Sequence, residues 1–382
     1  MSFLHLGLSD PILKIVAKQQ YTAAYPVQLA TIPVILSGKD LLVIAKTGSG
    51  KTVSFVLPVL QKLQGTAKAK SRHIKALVLV PTRELAVQVA EVFMLFSKNL
   101  PQQIKSMAVY GGVSINPQMM QLQGIEVLVA TPGRLLDLLE SNAVALSEVD
   151  TLVLDEADKM LSLGFKEEMQ KIFKLLKPVC QHLLFSATLN KDIKSVTEIL
   201  LNDPVLIETE KESLNEHTDL IKQTAYLVSD ERKGPLLRYL IKQKNMQQVL
   251  VFASSIHRAD IVVNKLKMNG IKALQIHREL SQGARMEALR MFKAGDITAL
   301  VATDLVSRGI DIPFLPFVIN YELPRSPKDY IHRIGRTGRA ESTGEAISLI
   351  SPNEEHHFHV ILKKMGKLLQ ALPSVDIDLK GY

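Results

Sequence analysis

Short apolar runs alternate along the chain with longer stretches of helical period. The runs fall at Leu41–Ile44, Ala76–Val80, Ser106–Val109, Val127–Ala130, Leu152–Leu154, Leu183–Phe185 and Val205–Ile207. Between them, Arg83–Lys98, Arg134–Leu139, Lys166–Leu175 and Ile193–Leu200 carry apolar residues at helical spacing. Residues 9–36 predict two further short helices, and the polar, basic stretch Gln64–Lys75 predicts a surface loop. A strand that is apolar at every position is buried on both faces. Strands of that kind alternating with helices predict a parallel sheet covered on both sides.

The segment Glu208–Asp219 breaks this rhythm. It is polar, rich in glutamate and without apolar period, which predicts a linker. The alternation then restarts at Thr224–Val228, Val249–Phe252, Ala273–Ile276, Ala299–Val301, Phe317–Ile319 and Ala346–Leu349. The expected fold class is therefore α/β, with two parallel-sheet domains in tandem, residues 1–207 and 220–382, joined by a short linker over 208–219.

Composition narrows the classes. With 47% hydrophobic residues in 382, the chain has ample material for packed cores and is not a disordered protein. The net charge of +8 fits a polyanion partner. Cys180 stands alone, so no intrachain disulfide can form and a reducing compartment is expected. No apolar run approaches the roughly 18 residues a membrane span needs. Met1–Asp10 lacks a basic segment followed by an apolar one, so no signal peptide is expected. These features lead to the expectation of a cytoplasmic monomer with no membrane association; they name no protein partner.

Candidate chemistry begins at Ala45-Lys46-Thr47-Gly48-Ser49-Gly50-Lys51-Thr52, between the strand Leu41–Ile44 and the helical stretch Val53–Leu63. A glycine-rich turn from strand to helix points backbone N–H groups at one spot, reinforced by the helix N-terminus. The pattern is G-x-x-x-x-G-K-[ST] with Ala45 at the first glycine. In it Lys51 can reach the outer phosphates of a nucleotide and the Thr52 hydroxyl can ligate Mg²⁺. A second candidate, Asp155-Glu156-Ala157-Asp158, ends the strand at Leu154. Ligands of open α/β sheets lie beyond the strand carboxyl ends, which puts this acidic turn beside the glycine loop. One carboxylate there can hold Mg²⁺ through its waters and its neighbour can orient an attacking water.

With these motifs in order, the chain resembles a DEAD-box RNA helicase of helicase superfamily 2. The resemblance runs through Gln28, Ala45–Thr52, Pro81-Thr82-Arg83-Glu84-Leu85-Ala86, Gly111-Gly112, Thr131-Pro132-Gly133-Arg134, Asp155–Asp158 and Ser186-Ala187-Thr188. It continues through Val251–Ser255, Gln282–Arg285, Ala302-Thr303-Asp304, Arg308–Asp311 and His332–Arg339. It implies two RecA-like domains that bind ATP and RNA in the cleft between them. It implies that Gln28 reads the adenine edge and Tyr21 stacks on the ring. Thr47, Gly48, Ser49, Gly50, Lys51 and Thr52 would hold phosphates, with Thr52 and Asp155 on Mg²⁺ and Glu156 positioning water. Ser186 and Thr188 would couple hydrolysis to strand separation. Arg336 and Arg339 would act as arginine fingers, and Asp311 would help bind the ribose.

On the RNA side, Thr82, Arg83, Gly112, Thr131, Gly133 and Arg134 lie on strand-to-helix loops. Small residues, backbone N–H groups and a guanidinium there suit phosphate oxygens. Gln282 and Thr303 would do the same from the second domain. The resemblance implies contact along one RNA strand with its 2′-hydroxyls, and weak sequence preference. The expected activity is ATP-dependent separation of short RNA duplexes. Two alternatives stay open: an ATP-gated RNA clamp with little unwinding, and a DNA-directed superfamily 2 helicase.

The chain departs from the family pattern at several positions. Gln20 stands where glycine is usual, Ala24 and Tyr25 where proline and a hydroxyl residue are usual, and Val306 where alanine is usual. Arg278 also replaces a glycine, and two expectations follow: backbone strain from a positive φ, or an added phosphate contact. The cluster His356, His357 and His359 lies in the pattern of a terminal helix, and no cysteine or second histidine pair accompanies it.

Overall fold

A computed structural model describes residues 2–45, 48–67, 72–209, 221–303, 315–337 and 344–382. The chain divides into two compact units, Met1–Lys211 and Glu212–Tyr382.

In the first unit the strands are β1 (Leu41–Ile44), β2 (Ala76–Leu79), β3 (Ser106–Val109), β4 (Val127–Ala130), β5 (Thr151–Leu154), β6 (Gln181–Ser186) and β7 (Val205–Glu208). They lie in the order β3-β4-β2-β5-β6-β1-β7, with every neighbouring pair parallel. The helices are α1 (Asp10–Lys18), α2 (Pro26–Leu36), α3 (Lys51–Leu63), α4 (Arg83–Ser97), α5 (Asn116–Gln121), α6 (Pro132–Glu140), α7 (Ala157–Ser162), α8 (Lys166–Phe173) and α9 (Lys191–Leu200).

Side chains of a strand point alternately to the two faces, so an all-apolar strand feeds two cores. Val43, Val78, Val129, Val153 and Phe185 pack with Ile12, Ile32, Phe55 and Phe93 of α1–α4. Their neighbours Leu42, Leu77, Leu128, Leu152 and Leu184 pack with Leu135, Met160, Ile172 and Ile193 of α6–α9. All the carboxyl ends of the parallel strands therefore fall on one edge of the sheet, and the loops that leave them share that edge.

The second unit repeats the plan. Its strands are β8 (Ile221–Leu227), β9 (Val249–Phe252), β10 (Ala273–Ile276), β11 (Ala299–Ala302), β12 (Phe317–Asn320), β13 (Gly344–Ile350) and β14 (Leu372–Pro373). Their order, β10-β11-β9-β12-β13-β8-β14, is that of the first unit with each number raised by seven. The helices α10 (Asp230–Gln243) and α11 (Ile256–Met268) cover one face. The other carries α12 (Gln282–Lys293), α13 (Pro327–Ile334) and α14 (Glu355–Met365).

Several strands run further than the apolar pattern predicts. β6 begins at Gln181, β8 at Ile221 and β13 at Gly344. The ladder of the neighbouring strand carries each further than its apolar run, because pairing uses the backbone and admits polar side chains. β14 carries no strand signal in the sequence. It has two residues, and Pro373 is tolerated because the strand lies at the sheet edge.

Asp40, just before β1, ties three segments together. One carboxylate oxygen accepts the His182 N–H and the other the Asn202 N–H, each at 2.8 Å, with the His182 imidazole at 3.3 Å. Burial works to raise the Asp40 pKa, but these donors outweigh it and hold it below the usual carboxylate value. A lowered folded-state pKa gives stability above the unfolded value of about 3.9 that is lost as pH falls through the folded value. Asp40→Asn should therefore cost the first unit about 1–2 kcal/mol at pH 7 in chemical denaturation. The difference from wild type should close below about pH 4.

Candidate functional site

At the carboxyl end of β1, the Ala45 N–H donates to the Ser186 carbonyl at 3.0 Å, so the glycine loop starts level with the end of β6. Gly48 and Gly50 have φ of 78° and 92°, and Gly50 caps α3. The helix therefore begins at Lys51, two residues earlier than the apolar pattern predicts, and Lys51 and Thr52 form its first turn. The Lys51 ammonium is buried and donates to the Ala45 carbonyl at 2.6 Å. Burial pushes its pKa down, against the attraction of Asp155, Glu156 and Asp158. Thr47 lies outside the described residues.

β5 delivers the acidic turn. Burial pushes Asp155 up to about 6, against the attraction of Lys51. Glu156 adopts φ 56° and ψ 46°, a left-handed conformation costly for a residue with a side chain. Lys159 lies 2.7 Å from Glu156 Oε1. The Thr188 hydroxyl donates to Asp158 Oδ2 at 3.1 Å, while Ser186 Oγ accepts the Thr188 N–H at 3.2 Å. Since β6 lies between β1 and β5, Ser186 and Thr188 join the glycine loop to the acidic turn.

Three carboxylate oxygens on this turn, Asp155 Oδ1, Glu156 Oε2 and Asp158 Oδ1, are buried without a hydrogen-bond partner. Such atoms are costly unless a ligand or water meets them, so the turn fits a hydrated cation beside a polyanion. No group of three or more His, Cys, Asp or Glu forms a metal cage among the described residues. Mg²⁺, which keeps most of its waters and binds through one or two carboxylates plus substrate phosphates, is a cation of the kind this turn would fit.

Gln28 is fully buried. Its carbonyl accepts the Tyr25 N–H at 2.9 Å and its amide donates to the Gly50 carbonyl at 3.1 Å. A Cβ on Gly50 would meet Gln28 Nε2 at 2.7 Å and Tyr25 at 3.0 Å, and its φ of 92° strains any residue with a side chain. The Tyr21 ring lies 6.4 Å from Phe3, edge-on, and 5.6 Å from Phe96, at the margin of the core.

The other half of the edge carries the basic and small residues. Thr82 caps α4, its hydroxyl accepting the Leu85 N–H at 3.3 Å. The Arg83 guanidinium lies over Gly112, whose φ is 75°; a Cβ there would stand 1.9 Å from Arg83 Nη2. Thr131 caps α6, and a Cβ on Gly133 would meet open space. Arg134 is buried, donating to the Val113 carbonyl at 2.7 Å and to Asp137 at 3.3 Å, with Nη1 left without a partner. Arg83, Gly112 and Arg134 are thus brought together at the ends of β2, β3 and β4.

In the second unit Gln282 opens α12 behind the Ser281 cap; it accepts from Arg285 at 2.8 Å and its own Nε2 is buried without a partner. Thr303 follows β11 and its N–H donates to the Ile276 carbonyl at 3.4 Å. The Arg336 carbonyl accepts the Leu315 N–H at 3.2 Å. Asp311 and Arg339 lie outside the described residues. Arg333, given no role by the sequence, is buried 4.9 Å over the Phe252 ring and donates to Asn320 and the Glu322 carbonyl at 3.1 and 2.7 Å. His357 of the histidine cluster lies 2.8 Å from the Pro324 carbonyl.

The DEAD/DEAH box helicase model matches residues 25–196 and the helicase conserved C-terminal domain model matches residues 232–341. The chain belongs to the DEAD-box helicase family. It is 38% identical to the ATP-dependent RNA helicase CshA of Listeria monocytogenes, over 98% of this chain and 71% of that protein. It is 36% identical to the DEAD-box ATP-dependent RNA helicase CshA of Bacillus subtilis, over 100% of this chain and 76% of that one. Among solved structures, Saccharomyces cerevisiae Dbp5 bound to RNA and ADP BeF3 superposes with a TM-score of 0.84 at 28% identity, covering 98% of this chain and 96% of that one. A DEAD box protein of Methanococcus jannaschii superposes at 0.55 with 35% identity, covering 97% and 99%.

Within this DEAD-box framework the backbone strain expected at Arg278 is not found: Arg278 is absent from the described non-glycine residues of positive φ. The strain lies at Gln20, with φ of 60°. There α1 ends with the Gln20 N–H bonded to the Ala17 carbonyl at 3.0 Å and the Tyr21 N–H to the Val16 carbonyl at 3.2 Å. This is a Schellman ending, which calls for a left-handed residue and favours glycine. Gln20→Gly should stabilise the first unit by up to about 1 kcal/mol in chemical denaturation, the relief of strain outweighing the added freedom of the unfolded chain. Gln20→Ala should stay within about 0.5 kcal/mol of wild type.

Proposed function

We propose that the chain is an ATP-dependent RNA helicase that grips single-stranded RNA with little regard to sequence and locally separates short duplexes. The observation that carries this reading is the carboxyl edge of the first sheet. The glycine loop, the acidic turn and the Ser186–Thr188 link stand on the adjacent strands β1, β5 and β6, and the phosphate-suited groups on β2, β3 and β4. Nucleotide chemistry and polyanion contact thus share one rigid frame.

In this reading Lys51 and the N–H groups from Gly48 to Thr52 receive the phosphates of ATP, and Gln28 and Tyr21 lie on the base side. Thr52 and Asp155 would hold Mg²⁺, which when bound offsets phosphate charge. Glu156 orients the attacking water, and Ser186 and Thr188, the latter bonded to Asp158, couple hydrolysis to strand separation. Arg83, Arg134, Gly112, Gly133, Thr82 and Thr131 take phosphates of one RNA strand, joined by Gln282 and Thr303. The second domain brings Arg336, Arg339 and Asp311 to the nucleotide when the two domains close. The names of the relatives, RNA helicases from Listeria and Bacillus, support RNA as the polymer.

Hydrolysis should be slow alone and rise strongly with single-stranded RNA, because closure on RNA completes the site. Steady-state phosphate release with RNA, with DNA of the same sequence and with neither measures this. RNA affinity should also fall steadily with salt as phosphate contacts release counterions. Equal stimulation by DNA would replace this reading with a DNA-directed helicase.

A further inference from the structure

We propose that Lys159 is a positioning residue for the Glu156 carboxylate, fixing which of its oxygens receives the attacking water. The inference rests on the reading that Glu156 orients that water. Lys159 lies in the first turn of α7, three residues after Glu156, which places both side chains on one side of the turn. The Glu156 carbonyl accepts the N–H groups of Lys159 at 2.9 Å and Met160 at 3.1 Å, so the backbone between the partners is closed. The ammonium then reaches back to Glu156 Oε1 at 2.7 Å.

The two side chains are only 17% and 10% exposed, so solvent screens the pair weakly. Lys159 occupies Oε1, and Oε2 is left buried with no partner. The carboxylate therefore offers one acceptor in one orientation. A glutamate side chain has three rotatable bonds, and without the ammonium it would sample several rotamers, most of which carry the acceptor away. Asp158 is arranged alike, with Oδ2 held by Thr188 and Oδ1 open. The acidic turn thus pins one oxygen of each of these carboxylates and presents the other.

The test uses the full chain with saturating RNA. Lys159→Met keeps length and removes charge. It should lower kcat about 10- to 100-fold, the scale of a misplaced catalytic group. KM for ATP, and affinity for a non-hydrolysable ATP analogue by equilibrium fluorescence, should stay within about twofold. Lys159→Arg, which keeps a cation, should restore kcat to within about threefold of wild type. A crystal structure of Lys159→Met should show the Glu156 carboxylate out of its present rotamer. In a Glu156→Gln background, Lys159→Met should cause no further loss. Unchanged kcat in Lys159→Met beside an inactive Glu156→Gln overturns the inference alone. A further loss in the Glu156→Gln background, or a parallel loss of analogue affinity, also overturns it, since either marks a structural role. Near-normal turnover in Glu156→Gln overturns the water-orienting reading itself, and the inference with it.

Discussion

The site depends on the mutual burial of Lys51 and the acidic turn. A lysine ammonium and an aspartate carboxyl are both drawn out of water at the ends of parallel strands, and burial pushes each toward its neutral form. Their attraction offsets this only in part, and Asp155 Oδ1 still lacks a partner. Fold energetics alone gives no reason to leave these groups so placed, because a buried pair is often no better than apolar packing. A ligand carrying both phosphate and a cation would supply the missing partners. Strain at the left-handed Glu156 belongs to the same arrangement: it is held by the carbonyl that closes the first turn of α7.

The second unit has the same strand order without the same chemistry. β8 occupies the place of β1 but is followed by Val228-Ser229-Asp230, with no glycine turn to aim N–H groups at a phosphate. Its edge is instead braced by buried Arg333, over Phe252 and bonded to Asn320 and Glu322, whose carboxylate accepts from Ser254 and Arg258. A guanidinium so committed is structural. The same strand order therefore carries two different sets of loops.

Much of this was legible in the sequence. Strands buried on both faces, such as Val127–Ala130, leave an unbroken apolar signature, and the Gly48–Gly50 spacing reports the turn directly. What was not legible depends on long-range pairing. Polar Gln181 joins β6 because its neighbour's ladder continues, and β14 exists because β8 has a free edge. The role of Asp40 needs His182 and Asn202, remote in the chain. Of the two expectations at Arg278, the positive φ is not found; Gln20, another position where glycine is usual, has it, because the Schellman ending of α1 calls for a left-handed residue there. Lys159 is three residues from Glu156, yet its spacing alone does not tell an ion pair from a solvated lysine. For Gln28, the resemblance implied a role at the adenine edge, but nothing in the sequence indicated that its amide also bonds the backbone of Tyr25 and Gly50.

On the proposed function, nucleotide and cation together complete the buried charges of the first unit. The most direct measurement is the thermal unfolding midpoint of the full chain with no additive, with Mg²⁺ alone, with a non-hydrolysable ATP analogue alone, and with both, repeated for Lys51→Met. A ligand that binds only the folded state stabilises it by about 2.7 kcal/mol at one hundred times its Kd. A clear upward shift is expected with both additives, a small one with either alone, and none in Lys51→Met. An equal shift in wild type and Lys51→Met, or no shift with both additives present, would contradict it.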